Sequence, residues 1–191
     1  MAALAVTKAA ERVAAQCAGR TRRSPTLVGL PPVLRRDARV LILGSFPGTA
    51  SLAAGQYYAH PRNHFWPLLA AITGAPLATL PYPRRLAALR ASGIALWDAI
   101  VECRRQGSLD SAIRDAVPAQ AAHVHRAAPA VALVCFNGQK AGRSLPAWRD
   151  AGYATLELPS SSPAYTRPFE EKLAAWRAIG EFLGDPARRL P

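Results

Sequence analysis

Cysteine is scarce in this 191-residue chain, and Cys17, Cys103 and Cys135 stand far apart with no CxxC among them. That excludes a disulfide framework and leaves no zinc or four-cysteine iron–sulfur pattern; thiols so scattered fit a reducing cytoplasm. No apolar run approaches the roughly 20 residues a membrane-spanning helix needs. The first twenty residues, where Lys8, Glu11, Arg12 and Arg20 interrupt alanines, hold no compact apolar stretch of the kind a secretion signal carries. No carboxylate or histidine cluster has metal spacing, and no lysine stands in a Schiff-base motif. Acidic residues are few as well: 12 Asp and Glu against 24 Lys and Arg leave a formal charge of +12. Such a field attracts a polyanion, nucleic acid before an anionic membrane. The excess is nearly all arginine in an alanine-rich chain, which genome base content also produces, so charge supports a nucleic-acid partner without deciding for one.

What the chain does have is apolar material for one core, half of its residues being hydrophobic, and its length suits one domain. Residues 1–28 read as a basic helical extension ending in the polar stretch Ala18 to Pro25, and residues 29–186 as the domain. Four short apolar runs, Arg39 to Gly44, Gly93 to Asp98, Val131 to Phe136 and Ala154 to Pro159, have the form of strands buried on both faces. Helices are predicted over 64–74, 83–92, 109–116, 118–128, 138–147 and 168–184. This alternation predicts an α/β protein, a three-layer α/β/α sandwich with a central, mostly parallel four-stranded sheet, because parallel strands need long helical crossovers. Ligands of such sheets collect beyond the carboxyl ends of the strands, here the segments after Leu43, Leu96, Phe136 and Leu158.

Four segments stand out. GSFPGTASL (44–52) has glycines and a proline that let backbone amides approach a ligand, and is equally a plain strand-to-loop turn. It is no nucleophile elbow, since Phe46 stands where GxSxG needs serine, and no GxxxxGK[ST] phosphate loop. QYYAHPRNHFW (56–66) surrounds His60, Arg62, Asn63 and His64 with aromatic rings. Aromatic faces stack on bases, worth about 1–3 kcal/mol each, and Asn orients a water or pairs with a base edge. The other reading makes Asn63 an N-cap with Phe65, Trp66, Leu69 and Ile72 as core beneath it; the two balance. VCFNGQKA (134–141) offers Asn137 as a base contact or as a turn residue before Gly138. LPSSSPAYT (158–166) offers Ser160, Ser161 and Ser162 as phosphate donors and Pro163, Ala164 and Tyr165 as a wedge, or else a solvated turn. Lys140, Arg143 and Arg167 are candidate phosphate neutralisers. Asp98 ends the second strand and either faces the site or, the favoured reading, caps the next turn, while His123 and His125 read as structural or exposed.

In this order the four motifs resemble the hypoxanthine-DNA glycosylase branch of the uracil-DNA glycosylase superfamily, over roughly residues 28 to 184. YAHPRNHFW is also similar to the FAHPxNRFW stretch of the mismatch-specific uracil-DNA glycosylases. The resemblance implies a monofunctional glycosylase that hydrolyses the N-glycosidic bond of a deaminated base, hypoxanthine first, with uracil and xanthine next. GSFPG puts Phe46 where the GINPG motif of other members has its Asn, so the catalytic assignment passes to Asn63. Tyr58 is implied as the stacking platform, Gly44, Ser45 and Phe46 as further wall of the base site, and Asn137 as a base contact. Ser160 to Tyr165 are implied to grip phosphates and wedge into the duplex; apart from the resemblance, Lys140 and Arg167 are read as phosphate neutralisers by their charge, and His60 and His64, which flank the site, as groups able to stabilise negative charge near it.

A neutral amide does not titrate usefully, so the role open to Asn63 is orientation of the water. The base must first leave the stack, which costs a few kcal/mol and is easiest for mispaired or damaged nucleotides. The expected partner is double-stranded or single-stranded DNA carrying a deaminated base, bound by a cytoplasmic monomer without cofactor, metal or membrane. Two further readings stand beside this one: a catalytically weak or inactive damaged-DNA-binding module of the same fold, prompted by Phe46, and an ester hydrolase, prompted by Ser45 and the serine run.

Overall fold

The computed structural model describes residues 25–184. Its elements, in chain order, are β1 (Thr26–Val28), β2 (Val40–Gly44), α1 (Thr49–Ala54), α2 (Phe65–Thr73), α3 (Tyr82–Ala91), β3 (Ile94–Asp98), β4 (Ile100–Arg104), β5 (Arg114–Pro118), α4 (Ala121–Ala127), β6 (Leu133–Asn137), α5 (Gln139–Gly142), α6 (Leu145–Asp150), β7 (Ala154–Leu158) and α7 (Phe169–Gly184). Of the proposed extension over residues 1–28, residues 1–24 lie outside the described residues, as do residues 185 and 186 of the expected domain; its last residues, Thr26–Val28, pair with β4.

The four apolar runs form one parallel sheet in the order β3-β2-β6-β7. Every residue of β2, β3 and β6 is buried, so these runs are continuous rather than alternating, as a sheet covered on both faces requires. Successive side chains go to opposite faces. Val40, Ile42, Leu96 and Cys135 join Phe65, Trp66, Leu69, Leu89, Trp176, Ile179 and Phe182 from α2, α3 and α7. Leu41, Leu43, Trp97, Val134 and Phe136 join Val124, Ala141 and Trp148 from α4, α5 and α6. Burial of each large apolar side chain contributes about 1.5–3 kcal/mol, and these two cores make the three layers. Among the described residues no helix is long and apolar enough to cross a membrane.

Three predicted helices come out differently. Residues 109–116 form a single 3-10 turn, Asp110–Ala112, and then β5, which with β4 and β1 makes a second, antiparallel sheet of three strands. β5 is exposed along its whole length, so no apolar period marks it. The helix expected over 118–128 begins only at Ala121, after β5 ends at Pro118. The helix expected over 138–147 splits in two around Arg143 and Ser144, with Pro146 inside the first turn of α6; proline lacks the N–H an unbroken helix would use there. The short α1 was not expected at all. The second sheet supports a small third cluster of Phe46, Ile100, Cys103 and Ile113, which carries the loop after β2.

Candidate active site

The carboxyl ends of β2, β3 and β6 open into a cavity of about 370 Å³. Gly44, Ser45, Phe46, Tyr58, Asn63, Asn137 and all of Ser160 to Tyr165 line it, together with His60. Lys140 and Arg167 line a neighbouring depression of about 360 Å³ that shares Asn137, Ser160 and Tyr165 with the first. Residues far apart in the sequence thus converge because parallel strands deliver all their carboxyl ends to one edge.

Gly44 has to be glycine for reasons of space: a Cβ there would overlap Asp98 Oδ1 and stand 2.8 Å from Tyr58 Oη. The next residue, Ser45, donates through Oγ to Asp110 Oδ2 at 2.7 Å, joining the first loop to the 3-10 turn. Phe46 lines the cavity, yet its ring is 5% exposed and packs in the third cluster with the Arg105 guanidinium 5.0 Å above it. Arg105 is itself buried and donates through Nη2 to the Pro47 carbonyl, so a cation holds this loop from beneath.

The aromatic segment is rigid. Tyr57 donates through its hydroxyl to Leu30 O at 3.2 Å, its carbonyl accepts from Trp66 Nε1 at 3.1 Å, and its amide donates to the Tyr82 hydroxyl at 2.9 Å. Tyr58 has φ of 53°, a left-handed backbone that a bulky residue adopts only under constraint. Its ring stacks on Phe65 with centroids 3.7 Å apart and planes 13° from parallel. Asn63 Oδ1 accepts from Phe65 N at 3.0 Å, which satisfies one of the free amides at the start of α2 and fixes which way round the side-chain amide lies. The N-cap position itself falls on His64, not on Asn63 as the alternative reading had it; Asn63 stands one residue earlier, bonds the first helical amide and also lines the cavity. His60 Nδ1 accepts from Arg62 N at 3.2 Å on the cavity wall. His64 points elsewhere: its ring meets Phe169 edge-on and burial holds its pKa below the usual value, with Lys172 adding to the effect.

Asn137 has all but one of its hydrogen-bonding positions filled. Its Nδ2 donates to Tyr58 Oη at 3.0 Å and to Ser161 Oγ at 2.8 Å, and its Oδ1 accepts from Ser161 N at 2.8 Å. An amide has two hydrogens and two lone pairs, so what remains for a ligand is a single Oδ1 lone pair. Ser161 is fully buried and committed to this lock, so it does not face solvent as a phosphate donor would. Ser160 Oγ accepts from Ser162 N and Ser162 Oγ from Ala164 N, each at 3.2 Å, which leaves both hydroxyl hydrogens to give. Gly138, with φ of 92°, lets the end of β6 approach this loop; a Cβ would stand 2.8 Å from Ser160 Cβ. From below, the buried Lys172 donates to Tyr165 O at 2.7 Å and Ser162 O at 3.5 Å, and Tyr165 is left 40% exposed at the rim.

Two of these groups escaped the sequence, and for a third, Asp98, the less favoured of its two readings holds. Lys172 and Arg105 resemble any other surface cation in a basic chain. Asp98 does not cap the turn after β3, because the next two amides, Ala99 N and Ile100 N, donate to Gly44 O and Ser45 O instead. It lies 4% exposed on the cavity wall with Oδ2 lacking any hydrogen-bond partner, and burial, helped by Asp110 against the opposing Arg105, pushes its carboxyl up to about 8. Burial likewise raises Tyr57 and Tyr58, so both phenols stay neutral.

Residues 31–182 match the uracil DNA glycosylase superfamily as a whole. The chain belongs to that superfamily. Among its relatives, a protein of Methanosarcina barkeri described as a hypoxanthine DNA glycosylase is 41% identical over 148 residues, covering 78% of this chain and 94% of the relative. A second protein of that description, from Methanosarcina acetivorans, is 38% identical over 151 residues, covering 79% and 96%. A solution NMR structure of a candidate uracil DNA glycosylase from Methanosarcina acetivorans superposes with a TM-score of 0.77 at 37% identity, covering 84% of this chain and 100% of that one. The shared fold therefore extends over most of this chain and the whole of that one.

Proposed function

We propose that this superfamily member is a DNA glycosylase that hydrolyses the N-glycosidic bond of deaminated bases, hypoxanthine foremost, and leaves an abasic site. The observation that carries the reading is the convergence of Asn63, Tyr58, Asn137 and the 160–165 loop on one cavity at the carboxyl edge of the sheet. Its volume lies at the lower end of the roughly 300–1,000 Å³ of small-ligand sites, which suits a single extruded nucleobase. Relatives over nearly their whole length are described as acting on hypoxanthine, and the same substrate is proposed here.

In this reading the flipped base stacks against Tyr58, whose other neighbour Phe65 keeps it from yielding. Asn63, with Oδ1 anchored on the helix amide, uses its second lone pair to orient a water toward the anomeric carbon. Asn137 accepts from a ring N–H through its one free lone pair. Ser160, Ser162, Lys140 and Arg167 meet phosphates, and Pro163, Ala164 and Tyr165 fill the space the base vacates. The enzyme acts as a monomer on double-stranded or single-stranded DNA.

The test is direct. Duplexes containing deoxyinosine, deoxyuridine or deoxyxanthosine are incubated with the protein and treated with alkali to cut abasic sites. Cleavage is expected, strongest at deoxyinosine, and no cleavage of any of them refutes the reading. Salt-sensitive binding to damaged duplex without product would instead mark a binding module.

A further inference from the structure

Asp98 has no part in the scheme above, yet it is the most heavily desolvated acid on the cavity wall. Its Oδ1 and Tyr58 Oη both crowd the position that a Cβ on Gly44 would take, beside the cavity wall that Gly44 and Tyr58 line, and the missing Cβ of Gly44 is what makes room for it. Its Oδ2 sits behind, buried and without a donor. Among the described residues no cation forms an ion pair with it: Arg105 gives Nη2 to the Pro47 carbonyl and lies over the Phe46 ring, and its charge opposes the burial and the Asp110 charge that raise the Asp98 carboxyl without outweighing them. The other ionisable groups around it are Asp110 on the 3-10 turn, Tyr57 and Tyr58 on the loop before α2, and Tyr82 on α3. None of these supplies positive charge. A carboxylate here would carry a buried charge with an empty oxygen, so the acid form is favoured, in keeping with its raised pKa of about 8.

We propose that Asp98 is a catalytic residue that works as a neutral carboxylic acid, donating a hydrogen bond to the carbonyl oxygen of the flipped base. This rests on the glycosylase reading. Deamination replaces an amine, a donor, by a carbonyl, an acceptor, and the O–H of a carboxyl protonated on Oδ1 is the complement of that oxygen, while the ring N–H is left to Asn137. In hydrolysis the electron pair of the C1′–N bond passes to the base, water supplies the hydroxyl that bonds C1′, and the remaining water proton ends, in net, on the departed base. Negative charge therefore builds on the base carbonyl, and a donor already fixed there stabilises the transition state more than the ground state. The proton stays on Asp98 throughout.

The experiment is a single-turnover rate of base release from a deoxyinosine duplex between pH 6 and 10, with the wild type, Asp98→Asn and Asp98→Ala. The wild-type rate is expected to fall above pH 8, by about tenfold at pH 9. Asp98→Asn keeps a neutral donor, so it loses at most about tenfold and shows no alkaline fall; Asp98→Ala, lacking a donor, loses about 10²–10³-fold. The idea is overturned if the wild type has no fall near pH 8, if Asp98→Asn keeps that fall, if Asp98→Asn is as inactive as Asp98→Ala, which would mean that the anion is needed, or if Asp98→Ala is fully active. Should neither variant fold, as judged by circular dichroism, Asp98→Glu takes their place and should keep the alkaline fall with its midpoint shifted, whereas a midpoint identical to the wild type assigns the fall to another group and overturns the proposal. A wild type that releases no base from any lesion duplex overturns the glycosylase reading itself, whereas an active wild type with the wrong pH profile overturns only the role of Asp98.

Discussion

Asn137→Ala separates a residue that merely touches a base from one that also holds the site together. In the folded chain its amide makes three hydrogen bonds of 2.8–3.0 Å, two to the buried Ser161 and one to Tyr58. Alanine would leave Ser161 N–H, a buried donor, without a partner, at about 1–3 kcal/mol, and would strip one donor each from Ser161 Oγ and Tyr58 Oη, at about 0.5–1.5 kcal/mol apiece. The hydroxyls can rotate to recover part of this, so the expected loss is about 2–4 kcal/mol. Urea unfolding followed by circular dichroism measures it. A double-mutant cycle with Ser161→Ala should give a coupling of about 1 kcal/mol, since the two side chains touch. A loss below about 0.5 kcal/mol, the range of an ordinary surface change, would refute the lock. Base release should also slow, because the loop that grips DNA is tied down through Ser161.

Asn63→Ala should abolish turnover while leaving affinity for a deoxyinosine duplex nearly intact, with a stability cost of about 1 kcal/mol from removal of the bond to Phe65 N; full activity in the variant would remove Asn63 from the mechanism. Lys172→Met should raise KM, or weaken duplex binding in a gel shift, with little change in kcat, since the lysine orders the Ser162 to Tyr165 backbone without lining the cavity. Replacing Lys140 and Arg167 by alanine should flatten the slope of log binding constant against log salt by about 0.9 for each phosphate no longer neutralised. Asp98 also sets a pH dependence of stability. Its folded pKa, about 8, lies above the unfolded value of 3.8, so the unfolded chain releases this proton first and stability falls as pH rises between those values. Asp98→Asn should therefore be more stable than the wild type, with a gain that grows from about pH 4 to pH 8 in parallel thermal melts.

The parallel sheet was legible in the sequence because a strand buried on both faces leaves an unbroken apolar run, and β2, β3 and β6 are buried at every position. The edge strand β7, although partly exposed, was found through its apolar run at Ala154 to Leu158 and the turn that follows. The second sheet was not legible: β5 buries nothing and β4 alternates irregularly, so neither leaves a period to read. Three of the cavity-lining motifs were found because a parallel sheet puts every strand end at one edge, and they fall at those ends; QYYAHPRNHFW reaches the same cavity from the loop between α1 and α2 and was found by its own composition.

Within the site, the sequence by itself determined which residue types arrive, Asn63, Tyr58, Asn137 and the serine loop among them. What each is free to do was decided only by the tertiary structure. Asn137 and Ser161 lie 24 positions apart and cancel each other's hydrogen-bonding capacity, while Asp98, to all appearances an ordinary acid at a strand end, loses its water and its partners once Gly44, Tyr58 and Asp110 close around it. The reason is physical: a local pattern of apolar and polar residues encodes which face turns inward, whereas solvation and hydrogen-bond satisfaction depend on neighbours that only the folded chain brings together.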